Sequence, residues 1–180
     1  MTNRVEELSM TKNQNTAITA ATVWLRQNKV KGLLDNKFVA IDMQAPSYEK
    51  RMFLVEDGII KESYICSHGV NTSDSNNRAL AKTFSNKINS RMSSLGAMMT
   101  TETYIGKHGL SLKLTGLEKG INDNVEKRHI VIHGADYCSE SYIKSAGRAG
   151  QSWGCPAVDK KVIKSLIEKL GSGTLVYIHY

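Results

Sequence analysis

Two stretches of this 180-residue chain bring together residue types that can do covalent chemistry. Ile130-Val-Ile-His133-Gly134 is an apolar run that ends in His-Gly. Gly147-Arg148-Ala149-Gly150-Gln151-Ser152-Trp153-Gly154-Cys155-Pro156-Ala157 is a glycine-punctuated loop that delivers a cysteine. The span between His133 and Cys155 is long enough for a crossing segment that returns the thiol to the histidine. A free thiol, with a pKa of about 8.5, is mostly protonated at neutral pH, so it needs a positioned imidazole as base. A histidine at a strand end is held by a rigid element while its side chain points into a cleft. Gly134, lacking a side chain, lets its carbonyl approach the imidazole and fix the tautomer, the part an Asp or Asn plays in other triads. The N–H groups of the loop around Ser152, Trp153, Gly154 and Cys155 are natural donors to a developing oxyanion, because glycine permits the tight turn. The bland alternative is a buried small apolar cysteine and a strand-end histidine that is merely a satisfied polar group. Spacing alone leaves both open.

The elements that must position this pair follow from periodicity. Ile18, Ala21, Thr22 and Leu25 recur at helical spacing, which predicts an amphipathic helix from Thr16 to Asn28 with Asn15 as its cap and Gly32 beyond its end. Residues 1–15 read as a polar lead-in. Strands are expected at 38–43, 51–56, 59–66, 110–114, 129–133 and 174–179, with Asp57-Gly58 as a hairpin turn. Residues 67–94, rich in Asn and Ser, read as a long surface excursion, which in a compact domain is more often functional than idle. A last helix spans about 160–170 and closes at Gly171. This order predicts a β-rich α+β domain, with a helix before the strands and another after the cysteine, and no doubly wound parallel sheet.

Bulk properties bound the partners. Hydrophobic residues make up 41% and charged residues 23%, the balance of one ordinary globular domain. The net charge is +7, but the basic residues are scattered and only Lys160, Lys161 and Lys164 cluster. No arginine-rich arm or aromatic-interleaved basic stripe is present, so nucleic acid is not an expected partner. Glu6, Glu7, Lys12 and Asn13 interrupt the place of an apolar leader, and no stretch approaches membrane-spanning length. The expectation is a cytoplasmic protein without membrane insertion. A trimmed, exported chain would look the same. Three cysteines, an odd number, argue against a disulfide scaffold and leave at least one thiol free.

The motifs resemble a known family, the L,D-transpeptidase catalytic domain of the YkuD type. His133-Gly134 followed by Ser152-x-Gly154-Cys155 is its motif, and Ser-Trp-Gly-Cys-Pro-Ala is similar to the loop of its second branch. Further blocks in the same order are Phe84-Ser85-Asn86, Ser93-Ser94-Leu95-Gly96, Tyr104 to Gly109, Leu114 to Gly120 and His133 to Tyr137. The resemblance extends over residues 38–180, which would be the catalytic domain, with residues 1–37 as a preceding lead-in and helix. It implies an enzyme that attacks the L,D peptide bond of a peptidoglycan tetrapeptide stem or muropeptide through Cys155 and releases the terminal D-alanine. Water would resolve the thioester in an L,D-carboxypeptidase serving murein recycling. An amine would resolve it in an L,D-transpeptidase. A non-catalytic wall-binding module is the third reading. The chain departs from the main branch at Trp153, where a histidine is usual, and at Pro156-Ala157, where Arg or Asn commonly follows the cysteine.

Other residues are candidates for supporting roles. Arg148 could fork onto a substrate carboxylate, or be a plain surface arginine. Tyr104 and His108 could line the cleft. His129 and His133, four residues apart on an apparent strand, would stand about 13 Å apart at roughly 3.3 Å per residue, too far for one ion. No metal site or cofactor is expected. Structural roles suit His68, His179, Cys66 and Cys138. Nothing in the chain speaks to an oligomeric state.

Overall fold

The computed structural model describes residues 12–180. Helix α1 (Lys12–Gln27) leads into three strands, β1 (Lys37–Asp42), β2 (Lys50–Glu56) and β3 (Ile59–Ile65). A long connection then reaches the hairpin of β4 (Gly96–Gly106) and β5 (Gly109–Gly116). Strand β6 (Val131–Gly134), a 3-10 turn (Asp136–Cys138), α2 (Glu140–Ala146), β7 (Ala157–Val158), α3 (Ile163–Leu170) and β8 (Leu175–His179) follow. All eight strands form one sheet in the order β3-β2-β1-β8-β4-β5-β6-β7. The pairs β1–β8 and β6–β7 are parallel and the others antiparallel. The fold is a mixed, β-rich α+β domain.

Strand β1 shows why both faces of the sheet are covered. Successive side chains of a strand point to opposite faces. Phe38 and Ala40 pack with Ala17 and Ala21 of α1, together with Phe53, Val55, Ala97 and Leu175. Two alanines one helical turn apart bring α1 close to the strands. Val39 and Ile41 enter the other cluster with Met52, Met98, Leu112, Leu114 and Ile178. There α3 inserts Ile163, Leu166, Ile167 and Leu170, the i, i+3, i+4, i+7 stripe of a helix that buries one face. Gly171 closes α3 at a φ of 60°.

Several sequence expectations are corrected here. Position 15 lies inside α1, which already runs at Lys12, so Asn15 is not its cap; residues 1–11 of the predicted lead-in lie outside the described residues. The longest strand, β4, was not anticipated, because the irregular register between Thr100 and Thr103 interrupts the alternation that marks a strand. His129 is not on a strand. It is an exposed turn residue with a φ of 53°, and the strand begins at Val131. Residues 67–94 are more than a surface excursion, since Ser67, His68, Thr72, Ser93 and Ser94 are buried.

Arg51 is fully buried, and its guanidinium is held by neutral acceptors, with the charge of the buried Asp42 acting on it from beyond ion-pair contact. Its Nε donates to the Cys66 carbonyl at 2.8 Å, one terminal nitrogen to Ala45 at 2.9 Å, and the other to His68 Nδ1 at 2.8 Å. An unpaired buried donor is costly, so two carbonyls and an imidazole stand where water would be. Burial, followed by the positive charge of Arg51, pushes the pKa of His68 down to about 3, which keeps that ring a neutral acceptor. His68 and Arg51 thereby anchor the start of the 67–94 segment.

Candidate active site

The parallel pairing of β6 with β7 sets the geometry of the candidate pair. His133 stands opposite Ala157 and Gly134 opposite Val158. Carried back two residues, the same register sets Cys155 beside Val131. The Val131 N–H meets Cys155 Sγ at 3.5 Å, and the thiol lies 3.7 Å from the His129 carbonyl. His133 and Cys155 are therefore neighbours on adjacent strand lines, one strand repeat apart. The thiol's partners in this resting arrangement are Val131 and His129, and not the imidazole.

The buried His133 donates from Nδ1 to the Gly134 carbonyl at 3.1 Å, which leaves the lone pair on Nε2. The ring of His108 stacks on it, with centroids 4.4 Å apart and planes 21° apart. Gly134 has little room to be anything else, since an added Cβ would stand 3.0 Å from Lys160 Cα and from Ile163 Cγ2.

The cysteine loop is held from below by two serines. Ser152 Oγ donates to the Cys155 carbonyl at 2.6 Å and accepts the Gly154 N–H at 3.1 Å. Ser67 Oγ donates to the same carbonyl at 3.3 Å and accepts the Ala157 N–H at 3.1 Å. The Ser152 N–H is taken by the His68 carbonyl at 3.0 Å. The expected oxyanion donors are thus revised. The amide of Ser152 is taken by His68 and that of Gly154 by Ser152 Oγ, whereas those of Trp153 and Cys155 have no protein acceptor among the described residues. Gly154 has a φ of 118°, and a Cβ there would stand 2.5 Å from the Met92 carbonyl oxygen. Only glycine fits.

Burial pushes the Cys155 thiol up, partly offset by the Val131 N–H and by the positive charge of Arg128. Burial pushes His133 down, the Gly134 hydrogen bond opposes that, and His108 adds to it. Both shifts favour a neutral thiol and a neutral imidazole near pH 7. Iodoacetamide labelling of Cys155 should therefore climb steadily with pH to 9 and beyond. Acid should begin to inhibit turnover only below His133's usual 6.5, where the base becomes protonated. A labelling rate that stays flat down to pH 5 would mean a thiolate–imidazolium pair and contradict this reading. Cys66 and Cys138 should stay silent. Both are buried, and burial pushes Cys66 up to about 12 and Cys138 higher still.

The remaining sequence candidates are dispersed. Tyr104 lines a cleft of about 900 Å³ together with Glu102, Lys113, Glu126, His129 and Val131. His108 lines a different one of about 520 Å³, with Gly134, Asp136, Tyr137 and Lys160. The two do not share a wall as expected. Trp153 is 65% exposed, with the Arg91 guanidinium 4.3 Å and Lys107 Nζ 5.8 Å from its ring centre. Arg148 donates to its neighbour's carbonyl, Ala149, at 3.0 Å, and its charge bears on His68. It lines none of the clefts bounded by His129, Val131, Gly134 or Trp153. Among the described residues no group of three or more His, Cys, Asp or Glu could hold a metal.

Sequence reasoning missed Ser67, Val131 and Arg128. The half-buried Arg128 donates to the Ser85 carbonyl at 2.7 Å, Ser94 Oγ at 2.6 Å and Ser90 Oγ at 3.1 Å, and also to the Met92 carbonyl. It fastens the end of the 67–94 segment under Gly154. Its place two residues before the apolar run of β6 was the available signal.

A family model matches the chain, and several solved structures are similar to it. No curated protein matches the chain. The solved structure of the Ldtfm–avibactam carbamoyl enzyme is 15% identical, covers 82% of this chain and 50% of its own, and superposes with a TM-score of 0.48. An L,D-transpeptidase from Xylanimonas cellulosilytica is 20% identical, with 80% and 60% covered and a TM-score of 0.43. The helical cell shape determining protein Pgp2 from Campylobacter jejuni is 14% identical, with 94% and 57% covered and a TM-score of 0.45. The chain spans about half to three fifths of the length of these solved relatives. A family model described as the L,D-transpeptidase catalytic domain (YkuD_2) matches residues 9–179, nearly the whole chain including α1, and the protein belongs to that family.

Proposed function

We propose that the protein is a cysteine acyl-transfer enzyme that opens the L,D peptide bond of peptidoglycan tetrapeptide stems, and that water resolves the thioester, giving L,D-carboxypeptidase activity. The observation that carries this is the β6–β7 register, which sets Cys155 one repeat from an imidazole whose Nδ1 is committed to the Gly134 carbonyl. In attack, the sulfur exchanges the His129 carbonyl for His133 Nε2, which takes the thiol proton as the carbon–sulfur bond forms. The carbonyl oxygen becomes an oxyanion facing the free amides of Trp153 and Cys155. His133 then returns the proton to the departing D-alanine amine, and the carbon–nitrogen bond breaks. Water, deprotonated by the same nitrogen, cleaves the thioester and regenerates the thiol.

Hydrolysis is the simpler outcome because water needs no acceptor site. A second reading, transfer to an amine, draws on two clefts lined by neighbours of the pair, one by Val131, whose N–H meets the thiol, and one by Gly134, whose carbonyl holds the imidazole. Such a pair could hold a donor and an acceptor stem. Incubation of the protein with a disaccharide tetrapeptide, followed by mass analysis, separates the outcomes. Tripeptide is the expected product. A crosslinked dimer, or an exchanged D-amino acid, would establish transfer, and unchanged substrate would favour a binding module. The proposal includes the cytoplasm as the compartment and soluble muropeptides from murein recycling as the substrate pool. Recovery of the protein outside the cytoplasmic membrane on cell fractionation would turn the balance toward crosslinking.

A further inference from the structure

The least expected concentration of features lies beside the cysteine loop, in a depression of about 220 Å³ lined by Ile88, Asn89, Arg91, Lys127, Arg128, His129 and Trp153. Three properties coincide there. First, four of the seven lining residues are Arg, Lys or His, and no carboxylate is among them. The Asp123 carboxyl, close enough to feel Lys127, is already held by the Asn86 side chain and the Gly120 N–H. Second, among the described residues four non-glycine positions have positive φ. One is Asp57 in a hairpin turn, and the other three are Asn89 at 61°, Arg91 at 56° and His129 at 53°. Left-handed backbone at non-glycine residues is costly and tends to gather at ligand clamps, where surrounding structure enforces it. Here all three instances outside the hairpin line one small depression. Third, the depression adjoins the reactive sulfur. His129 offers its carbonyl to the thiol, Trp153 lies two residues before Cys155, and the positive charge of Arg128 acts on the thiol.

The cations differ in availability. Arg128 is committed to four oxygen acceptors that fasten residues 85–94. Arg91 and Lys127 are exposed, no side-chain hydrogen bond or ion pair engages either among the described residues, and the Arg91 guanidinium rests against the indole of Trp153 at 4.3 Å. A planar guanidinium held by an aromatic face keeps its N–H fork directed to the side, the geometry that accepts a carboxylate in a bidentate way.

We propose that this depression is a carboxylate subsite, in which Arg91 and Lys127, backed by Arg128 and His129, hold a free carboxylate of the peptide whose carbonyl Cys155 attacks. The proposal rests on the peptide-acyl reading of Cys155 and adds the group that orients the substrate. The backbone strain at Asn89, Arg91 and His129 preshapes the subsite, and the absence of a protein carboxylate leaves its charge for the ligand. Several carboxylates of a stem peptide share this chemistry, among them that of the departing terminal residue and that of the diamino acid side chain.

The test uses the tetrapeptide and a set of derivatives amidated at each carboxylate in turn, with the wild-type protein and the double variant Arg91→Gln, Lys127→Gln. Both positions are exposed, and glutamine keeps the length of the side chain without the charge. Amidation at one position should raise KM of the wild type about tenfold or more, the scale of a lost charge-assisted hydrogen bond. The double variant should turn over the free acid no better than that amide, with the amide's own kinetics unchanged and kcat little altered. The position whose amidation matters identifies the carboxylate. A double variant that keeps the wild-type preference for the free acid overturns the proposal, as does one that weakens acid and amides alike. Absence of turnover by the wild type would instead refute the enzymatic reading. Binding then decides the subsite: the same ligands are titrated into Cys155→Ala protein and followed at the Trp153 indole N–H resonance. Preference for the free acid, lost in the double variant, supports the subsite. Equal affinity for all ligands, or none for any, overturns it.

Discussion

Cys155→Ala should lose turnover by several orders of magnitude, approaching the background of the uncatalysed reaction, while the protein keeps its fold. Removing the nucleophile from a catalytic set whose members act as a unit costs on the order of a millionfold in kcat. The structural cost is small. The thiol is only partly buried, its hydrogen bonds of 3.5 and 3.7 Å are weak, and the backbone of Cys155 is held by Ser67 and Ser152. A loss of about 1 kcal/mol or less would move the melting temperature by about 2–4 °C in a chain of this size. Mass spectrometry after iodoacetamide treatment adds a control, one adduct on the native protein and none on the variant. Retained activity in the variant would refute the nucleophile assignment, and a collapsed fold would make the thiol structural.

The second large effect is expected at Gly154, through backbone and not chemistry. An alanine there would need a φ near 118° with its Cβ 2.5 Å from the Met92 carbonyl oxygen, which Arg128 holds in place. Strain of this kind costs about 1–3 kcal/mol, and the displaced carbonyl adds overpacking of similar size. The loop will move to relieve it. A shift of about 1 Å at the nucleophile is enough for a hundredfold loss in rate, so Gly154→Ala should fall at least that far with the thiol still present. Gly58→Ala is the comparison. Its φ is also positive, at 76°, but nothing lies within 4 Å of the added Cβ. It should cost about 1–2 kcal/mol and leave kcat alone. Equal kinetic effects at the two glycines would remove the loop-geometry argument.

Residue types and their order revealed the candidate pair, because a thiol, an imidazole and the glycines around them carry their chemistry in the sequence itself. Apolar runs likewise revealed β1 and β2, whose burial is nearly continuous, and the Asp57-Gly58 turn led into β3. What stayed hidden depends on partners far along the chain. Whether the Gly154 N–H faces a substrate or Ser152 Oγ is decided by how the loop folds on itself, and Ser67 reaches Cys155 only through tertiary packing. Strand β7 is two residues long and exists only because β6 pairs with it. Helix α2 has no buried residue, so it lacks the apolar stripe that periodicity detects. His129 continues the apolar run in sequence, yet the turn bonded from Arg128 and His129 back to Asn124 and Glu126 forces it out of the strand.

Strand β8 follows every other strand of the sheet in chain order, yet it is the join between β1 and β4. The β1–β3 meander and the β4–β7 half meet in the sheet only through it. A growing polypeptide can therefore display its nucleophile before it owns a closed architecture. Until residues 175–179 emerge from the ribosome, two apolar edges stand unpaired, each a template for misassociation. Closure of the sheet therefore waits for β8, and chains that stop short of it are the ones most exposed to aggregation.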